Sequence, residues 1–96
     1  MNFAEKLTFL INITSTSNKQ LAIVAHVDPS LISMLRSGKR QVPKNNKYMD
    51  AVATYFSKKC VGNYQRIALS EALNRKYLPV QMDTEQLSAI LFDWLT

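Results

Sequence analysis

Cysteine, histidine, tryptophan and glycine are all scarce in this sequence. Its 96 residues include one cysteine, Cys60, one histidine, His26, one tryptophan and two glycines. A single cysteine excludes an internal disulfide, and one cysteine with one histidine cannot assemble a metal site. We therefore expect no metal and no other cofactor, and we interpret Cys60 as a small buried hydrophobe rather than a redox residue.

Long apolar runs are missing as well. No run approaches the roughly 20 residues that a membrane-spanning helix needs, and the N-terminus lacks the basic and then apolar pattern of a secretory signal. We therefore expect a cytoplasmic protein with no membrane partner. Since the sequence shows no carboxylate pair in a plausible pocket, no activated nucleophile and no phosphate-binding loop, we do not expect an enzyme.

The apolar residues that are present recur with helical spacing. They make up 47% of the chain, which argues against disorder, and 96 residues suit a single domain with a modest core. There is no internal repeat and no strand-like alternation of useful length. The sequence predicts an all-α fold, a compact bundle of five to six short helices.

The net charge of +5 is unevenly distributed along the chain. Up to residue 60, nine Lys and Arg residues stand against three acidic residues, whereas from residue 61 onward three stand against four. A net charge of this size alone indicates only solubility. Its concentration in the first part favours a polyanionic partner there.

Residues 17–40 carry the most specific pattern of the chain. Ser17 and Gln20 have the spacing of a capping box, which predicts the start of a short helix. Asp28-Pro29 predicts the cap and first position of a second helix. Gly38 predicts the end of that helix in the left-handed conformation.

The second of these helices has two unlike sides. Leu31, Ile32 and Leu35 form one apolar stripe that we expect to be buried. The other side is small and uncharged and carries Ser30, Ser33, Met34 and Ser37. A surface helix selected only for solubility would carry more Glu and Lys, so this composition favours a helix that enters a groove.

The segment closely resembles the helix-turn-helix of Cro/repressor-type (Xre-like) DNA-binding domains. The resemblance rests on Gln20-Leu21-Ala22, Val27-Asp28-Pro29-Ser30, Ile32-Ser33, Leu35-Arg36-Ser37-Gly38-Lys39-Arg40 and Val42-Pro43. With the flanking helices it covers about residues 3–56. One departure is His26, which stands where the family usually has glycine; histidine tolerates a positive φ better than most residues, so we expect the turn to form with some strain. We interpret His26 as a turn residue rather than a pH switch.

The resemblance implies that the helix 29–37 enters the major groove of duplex DNA. The positions that would face base edges are Pro29, Ser30, Ser33 and Met34. The positions that would contact phosphates are Asn18, Arg36, Ser37, Lys39, Arg40, Lys44 and Asn45. Arg36 is also placed to face a base or solvent. Since none of the four base-facing positions holds an Arg, Asn or Gln, we expect weak direct readout and a larger contribution from DNA shape and phosphates.

Four further helices are predicted outside this segment. Their predicted caps are Asn2, Asn45 or Asn46, Asn63, and Asp83. The helix after Asn45 or Asn46 should run to about Lys58, and the helix capped by Asn63 to about Lys76. In the latter we expect burial of Ile67, Leu69, Leu73 and Tyr77.

The last helix carries the sharpest apolar stripe, with the spacing i, i+3, i+4, i+7. The stripe consists of Leu87, Ile90, Leu91 and Trp94. It either closes over the core, which is the default, or pairs with a second subunit; a homodimer is attractive because repressor-type domains hold two half-sites about 34 Å apart. We divide the chain into a helix-turn-helix DNA-binding domain, 1–60 with the motif at 17–38, and a C-terminal helical extension, 61–96. The end of the chain soon after this stripe also allows the chain to be the N-terminal part of a larger regulator.

The leading hypothesis for function is a DNA-binding transcriptional regulator with duplex DNA as its partner. The alternative is a protein-interaction module that keeps the fold without sequence-specific DNA binding. The helix 29–37 has few side chains that can discriminate between bases, and the C-terminal helix carries an apolar stripe. Both features favour the alternative. The basic cluster of Lys39, Arg40 and Lys44, placed where phosphates should lie, favours DNA more strongly.

Overall fold

A computed structural model of the chain describes residues 1–41, 48–74 and 82–96. Within these ranges the chain forms six α-helices and no β-strand. The helices are α1 (Phe3–Ile13), α2 (Asn18–Ala25), α3 (Pro29–Ser37), α4 (Met49–Lys59), α5 (Asn63–Ala72) and α6 (Thr84–Leu95). The predicted all-α fold is confirmed. None of the helices described is both long and apolar enough to cross a membrane.

Side-chain caps open four of the helices where the sequence predicts them. Capping boxes begin α1, α2 and α6 at Asn2, Ser17 and Asp83. In α3, the Oδ1 atom of Asp28 accepts a hydrogen bond of 2.9 Å from the backbone N–H of Ser30. A cap of this kind stabilises a helix by about 1 kcal/mol, so local sequence is enough to fix these four starts.

The predicted starts of the other two helices are wrong. Helix α4 begins at Met49, after Tyr48 and without a side-chain cap bond, rather than at a cap on Asn45 or Asn46, which lie outside the described residues. Helix α5 has Gly62 as its N-cap, so Asn63 is already its first helical residue. The first residue of α4 is fully buried, and packing of this kind outweighs a local cap preference when the two compete.

The left-handed turns on either side of α3 are confirmed. Helix α2 ends at Ala25, and its C-cap His26 has φ 58° and ψ 44°; the next backbone N–H, that of Val27, donates to the carbonyl of Ala22 at 3.0 Å. Helix α3 ends at Ser37, and its C-cap Gly38 has φ 83°. These two reversals set where α3 begins and where the chain leaves it.

Five of the helices form a closed ring of neighbours around one hydrophobic core. Helix α4 packs against α2 and α6, α3 packs against α1 and α2, and α1 also contacts α6. The fully buried core side chains come from both parts of the sequence; they include Leu7, Leu10, Leu21, Ile32, Leu35, Phe56, Leu87 and Leu91. Helix α6 is therefore part of the same core as the α2–α3 unit, which we define as residues 17–41.

Helix α5 lies outside this ring. Leu69 is buried as predicted, but Ile67 is 62% exposed, contrary to the prediction, and Tyr77 lies outside the described residues. The inward position next to Ile67 is taken by Arg66, which is only 3% exposed and donates to the backbone carbonyls of Cys60 and Met82. With about 100° of rotation per residue, an inward Arg66 turns Ile67 toward solvent. The helix also ends earlier than predicted, at Ala72.

A cation connects the first helix to the last. The Nζ atom of Lys6 donates to the carbonyl of Trp94 at 2.7 Å and lies 5.4 Å from the centroid of its ring. Phe9 meets the same ring edge to face, with 6.1 Å between centroids. A cation is favourable at the C-terminal end of a helix such as α6, so this contact closes the ring electrostatically as well as by packing.

The strain at His26 gives a testable prediction. An L-residue in the left-handed region costs about 1–2 kcal/mol, whereas glycine loses about 0.5–1 kcal/mol of backbone entropy instead. We expect His26→Gly to raise the free energy of unfolding by about 0.5 kcal/mol and His26→Val to lower it by about 1 kcal/mol or more, measured by urea denaturation. As a control, glycine at the exposed helical residue Ile23 should destabilise. Destabilisation by His26→Gly would contradict a strained turn.

Candidate nucleic-acid interface

Helix α3 presents one buried side and one exposed side. Ile32 and Leu35 are fully buried against α1 and α2. Pro29, Ser30 and Ser33 are exposed. These three share the outer side of α3 with Ser37, also exposed, and with Met34, which is half-buried. All of the positions that the sequence assigned to base edges thus lie together, and the outer side of α3 carries no charge before its last turn.

The hydroxyls along this row differ in what they still offer to a ligand. The backbone N–H of Ser30 donates to Oδ1 of Asp28 at 2.9 Å, and hydrogen bonding with Ser30 lowers the pKa of that carboxyl. The Oγ atom of Ser37 donates to the carbonyl of Met34 at 3.1 Å. Within the described residues, the hydroxyl of Ser33 forms no such bond. The hydroxyl of Ser33 is therefore available to a ligand both as donor and as acceptor.

Two exposed cations follow α3 directly. The backbone N–H groups of Lys39 and Arg40 both point back to the carbonyl of Met34, at 3.0 and 3.3 Å. The chain leaves α3 after Gly38 through a basic segment, which we call the exit from α3. This arrangement folds the start of the exit against the C-terminal end of α3, where positive charge is favourable. The other residues predicted for this basic exit, Lys44 and Asn45, lie outside the described residues.

Arg36 was predicted as a phosphate contact, a base contact or a solvent-exposed residue, but it makes contacts within the chain. It is half-buried, and its Nη1 atom donates to Oδ1 of Asn18 at 2.8 Å. Its Nε atom lies 3.4 Å from Oγ1 of Thr8. A single guanidinium thereby joins α1, α2 and α3 beside the candidate interface. Asn18, the predicted phosphate contact on α2, has its carbonyl oxygen committed to this bond.

Sequence reasoning missed Thr8 and the connecting role of Arg36. One signal was present, because Arg36 follows the fully buried Ile32 by four residues, a spacing that places both on the same side of a helix. A long cation at such a position lies at the border between core and surface. The partner, however, comes from another helix and has no signature in local sequence.

The C-terminal stripe is divided between core and surface. Leu87 and Leu91 are fully buried in the core of the chain itself, whereas Ile90 and Trp94 are partly exposed. Much of the exposed apolar surface described lies instead just before α5 and in its first half, where Val61, Tyr64 and Ile67 are 56%, 68% and 62% exposed. The sequence predicts burial of Ile67 and gives no prediction for Val61 and Tyr64.

Acidic residues gather on another part of the molecule. Asp50, Glu85 and Asp93 line an open groove of about 600 Å³ between α4 and α6, with Lys58 as its cation. None of these four residues belongs to the α2–α3 unit. Among the described residues, exposed cations thus follow α3, while three carboxylates and one lysine line the groove between α4 and α6.

Cys60 lies at the end of α4 and is completely buried. Burial raises the pKa of its thiol from 9.0 to about 11, although the charge of Arg66 acts in the opposite direction. A buried thiol with a raised pKa is largely protonated at neutral pH and is a poor nucleophile. These properties are those of the small hydrophobe that the sequence suggested.

The raised pKa of Cys60 gives a pH prediction. Below pH 9 the thiol is protonated in both states, whereas between about pH 9 and 11 it ionises only in the unfolded chain and so favours unfolding. We expect the free energy of unfolding, measured by urea denaturation, to fall over this window by about 2 kcal/mol more than in Cys60→Ala. Burial also raises the pKa of Tyr48, but Tyr48 contributes equally to the pH dependence of the natural protein and of Cys60→Ala. Equal slopes in the two chains would contradict a raised thiol pKa.

The chain matches no protein-family model, no curated protein and no solved structure in the comparisons made with each.

Proposed function

We propose that this protein is a DNA-binding transcriptional regulator of the Cro/repressor (Xre-like) type, with α3 lying in the major groove of duplex DNA. The observation that carries the proposal is the exposed, uncharged row of Pro29, Ser30 and Ser33, followed at the end of the helix by the exposed cations Lys39 and Arg40. A major groove about 12 Å wide admits an α-helix whose outer side is small. Phosphates flanking the groove then lie beside the exit from α3.

The chemistry of this row favours affinity over specificity. Serine hydroxyls donate or accept and so tolerate several bases, while the Pro29 ring and the Met34 side chain suit a thymine methyl group. None of these side chains makes the bidentate contacts to guanine or adenine that give strong discrimination. The carboxylate of Asp28, at the start of α3, also opposes close approach of phosphates there. Phosphate contacts and DNA shape are therefore the main determinants in this proposal.

A homodimer on two half-sites is part of the proposal, with α6 as the candidate contact. Because Leu87 and Leu91 are buried within the chain, such a contact would use the outer side of α6, including Ile90 and the exposed part of Trp94. Trp94 already packs against Lys6 and Phe9 of α1. A dimer through this helix would thus extend an existing cluster rather than use a separate stripe.

Removal of the two exit cations tests the phosphate contacts. Each phosphate contact contributes about 0.9 to the slope of log K against log salt, so Lys39→Ala with Arg40→Ala should reduce that slope by about 2. The loss of affinity should be similar for all duplex sequences, measured by fluorescence anisotropy from 50 to 200 mM salt.

The matched control for this pair is Lys58→Ala with Lys59→Ala, which removes the same charge from α4. Because these lysines lie away from α3, the slope should change much less. Equal effects of the two double variants would show that binding responds only to net charge and would remove the exit from the interface.

A carboxylate at Ser33 tests whether α3 enters the groove. Ser33→Glu should lower affinity for duplex DNA at least a hundredfold, because its charge would face base edges and phosphates, while the melting temperature stays within about 2 °C for this exposed position. Ser33→Ala, the matched control, should bind nearly as well as the natural chain. A large loss of stability in Ser33→Glu, or unchanged affinity, would place Ser33 outside the interface.

A protein-interaction module is the second candidate function. The observation that favours it is the exposed apolar surface of Tyr64 and Ile67 on α5, with Val61 just before the helix, since adjoining exposed apolar residues are typical of protein contacts. Binding to random duplex DNA separates the two candidates. A steep salt dependence supports DNA, whereas a hydrophobic protein interface responds little to salt.

A further inference from the structure

The contacts of Arg36 bear on how the α2–α3 unit would hold a phosphate. The side chain leaves α3, passes the start of α2 and ends between Asn18 and Thr8. It borders an open groove between α1 and α3 that is lined by Ala4, Glu5, Thr8, Phe9, Asn12 and Arg36. The two bonds involve two of the five N–H donors of a guanidinium and fix its plane at both ends.

The bond of 2.8 Å to Asn18 selects one orientation of the asparagine amide. An asparagine side chain has an acceptor oxygen and a donor NH2 group on opposite sides of its terminal carbon. Arg36 offers only donors, so the oxygen must face it. The flipped amide would set two donor groups against each other. The Nδ2 group of Asn18 is therefore turned away from Arg36, and its N–H groups can donate to another acceptor.

Asn18 is also the first residue of α2, and the backbone around it suits an anion. The first N–H groups of a helix have no acceptor within the helix, and the helix dipole is positive at this end. Ser17 satisfies only the N–H of Gln20, at 3.0 Å. An anion at this end would meet the Nδ2 group of Asn18 and backbone N–H groups together, with the charge of Arg36 close behind.

We propose that Arg36 is a positioning residue, which holds the amide of Asn18 with its NH2 group directed at a DNA phosphate. The inference rests on the proposed DNA binding and assigns to Arg36 a role through Asn18 rather than a contact of its own. Thr8 is the second anchor of the guanidinium, so α1 takes part in presenting α2 to the DNA.

A double-mutant cycle on affinity for a random duplex tests this role. A hydrogen bond to a charged group is worth roughly a tenfold change in affinity or more, so Asn18→Ala and Arg36→Met should each weaken binding about tenfold. In the Asn18→Ala background, Arg36→Met should change affinity less than about threefold, because the amide that it orients is gone. Lys58→Met, which removes the same charge from α4, is the matched control. Additive losses would mean that Arg36 contacts DNA independently and would overturn the inference.

Side-chain NMR separates failure of this inference from failure of the proposed function. In the natural chain, adding duplex DNA at low salt should shift both the side-chain amide signal of Asn18 and the backbone signals of Lys39 and Arg40. In Arg36→Met, the backbone signals of Lys39 and Arg40 should still shift, while the Asn18 amide should respond much less.

Each other outcome shows whether the positioning role of Arg36 or the proposed DNA binding is wrong. If the Lys39 and Arg40 signals shift in the natural chain but the Asn18 amide does not, the positioning role is wrong and DNA binding stands. If no signal shifts, the proposed function itself is wrong. A fall in melting temperature of more than about 5 °C in Arg36→Met, with changes throughout α3 before DNA is added, would show a merely structural role and overturn the inference.

Discussion

Burial of two very short helices is the constraint on which the rest of this structure depends. Helix α2 has 8 residues and α3 has 9, and isolated helices shorter than about 12–15 residues are marginal in water. Their inner sides are therefore committed to the core, with Leu21 and Ile32 fully buried. Because packing against α1 and α4 holds these helices in place, the outer side of α3 is free to be small and uncharged. The surface that we propose for DNA is thus a consequence of how its opposite side is held.

The cations near that surface divide into two kinds. Lys39 and Arg40 are exposed after α3, where they provide charge that is screened by salt. Arg36 is half-buried and bonded to Asn18, so its contribution to the DNA binding that we propose depends on geometry as well as charge. The carboxylates of the α4–α6 groove lie on other helices. Exposed cations on one surface of a protein steer it toward a polyanion before any contact forms.

The part of the chain from residue 61 onward does not behave as one unit. Helix α6 completes the ring and contributes Leu87 and Leu91 to the common core. Helix α5 lies outside the ring. Leu69 is buried in the core, Ala68 and Leu73 pack against it, and Gln65 and Arg66 bond to backbone carbonyls of neighbouring segments. These contacts use only the inner side of α5 and leave its outer side uncovered. That side is where the exposed apolar residues lie.

Local sequence alone determined the all-α class, the starts of four helices and the two left-handed turns. These features depend on interactions within a few residues, such as Asp28 with Ser30, or on the conformational tolerance of single residues such as Gly38. Tertiary structure decided the start of α4, the exposure of Ile67 and the partners of Arg36. Each of these depends on which distant atoms share the core or need a hydrogen-bond donor. Helical periodicity predicts that a residue faces inward or outward along its own helix, but the neighbouring helices decide which side of that helix is covered.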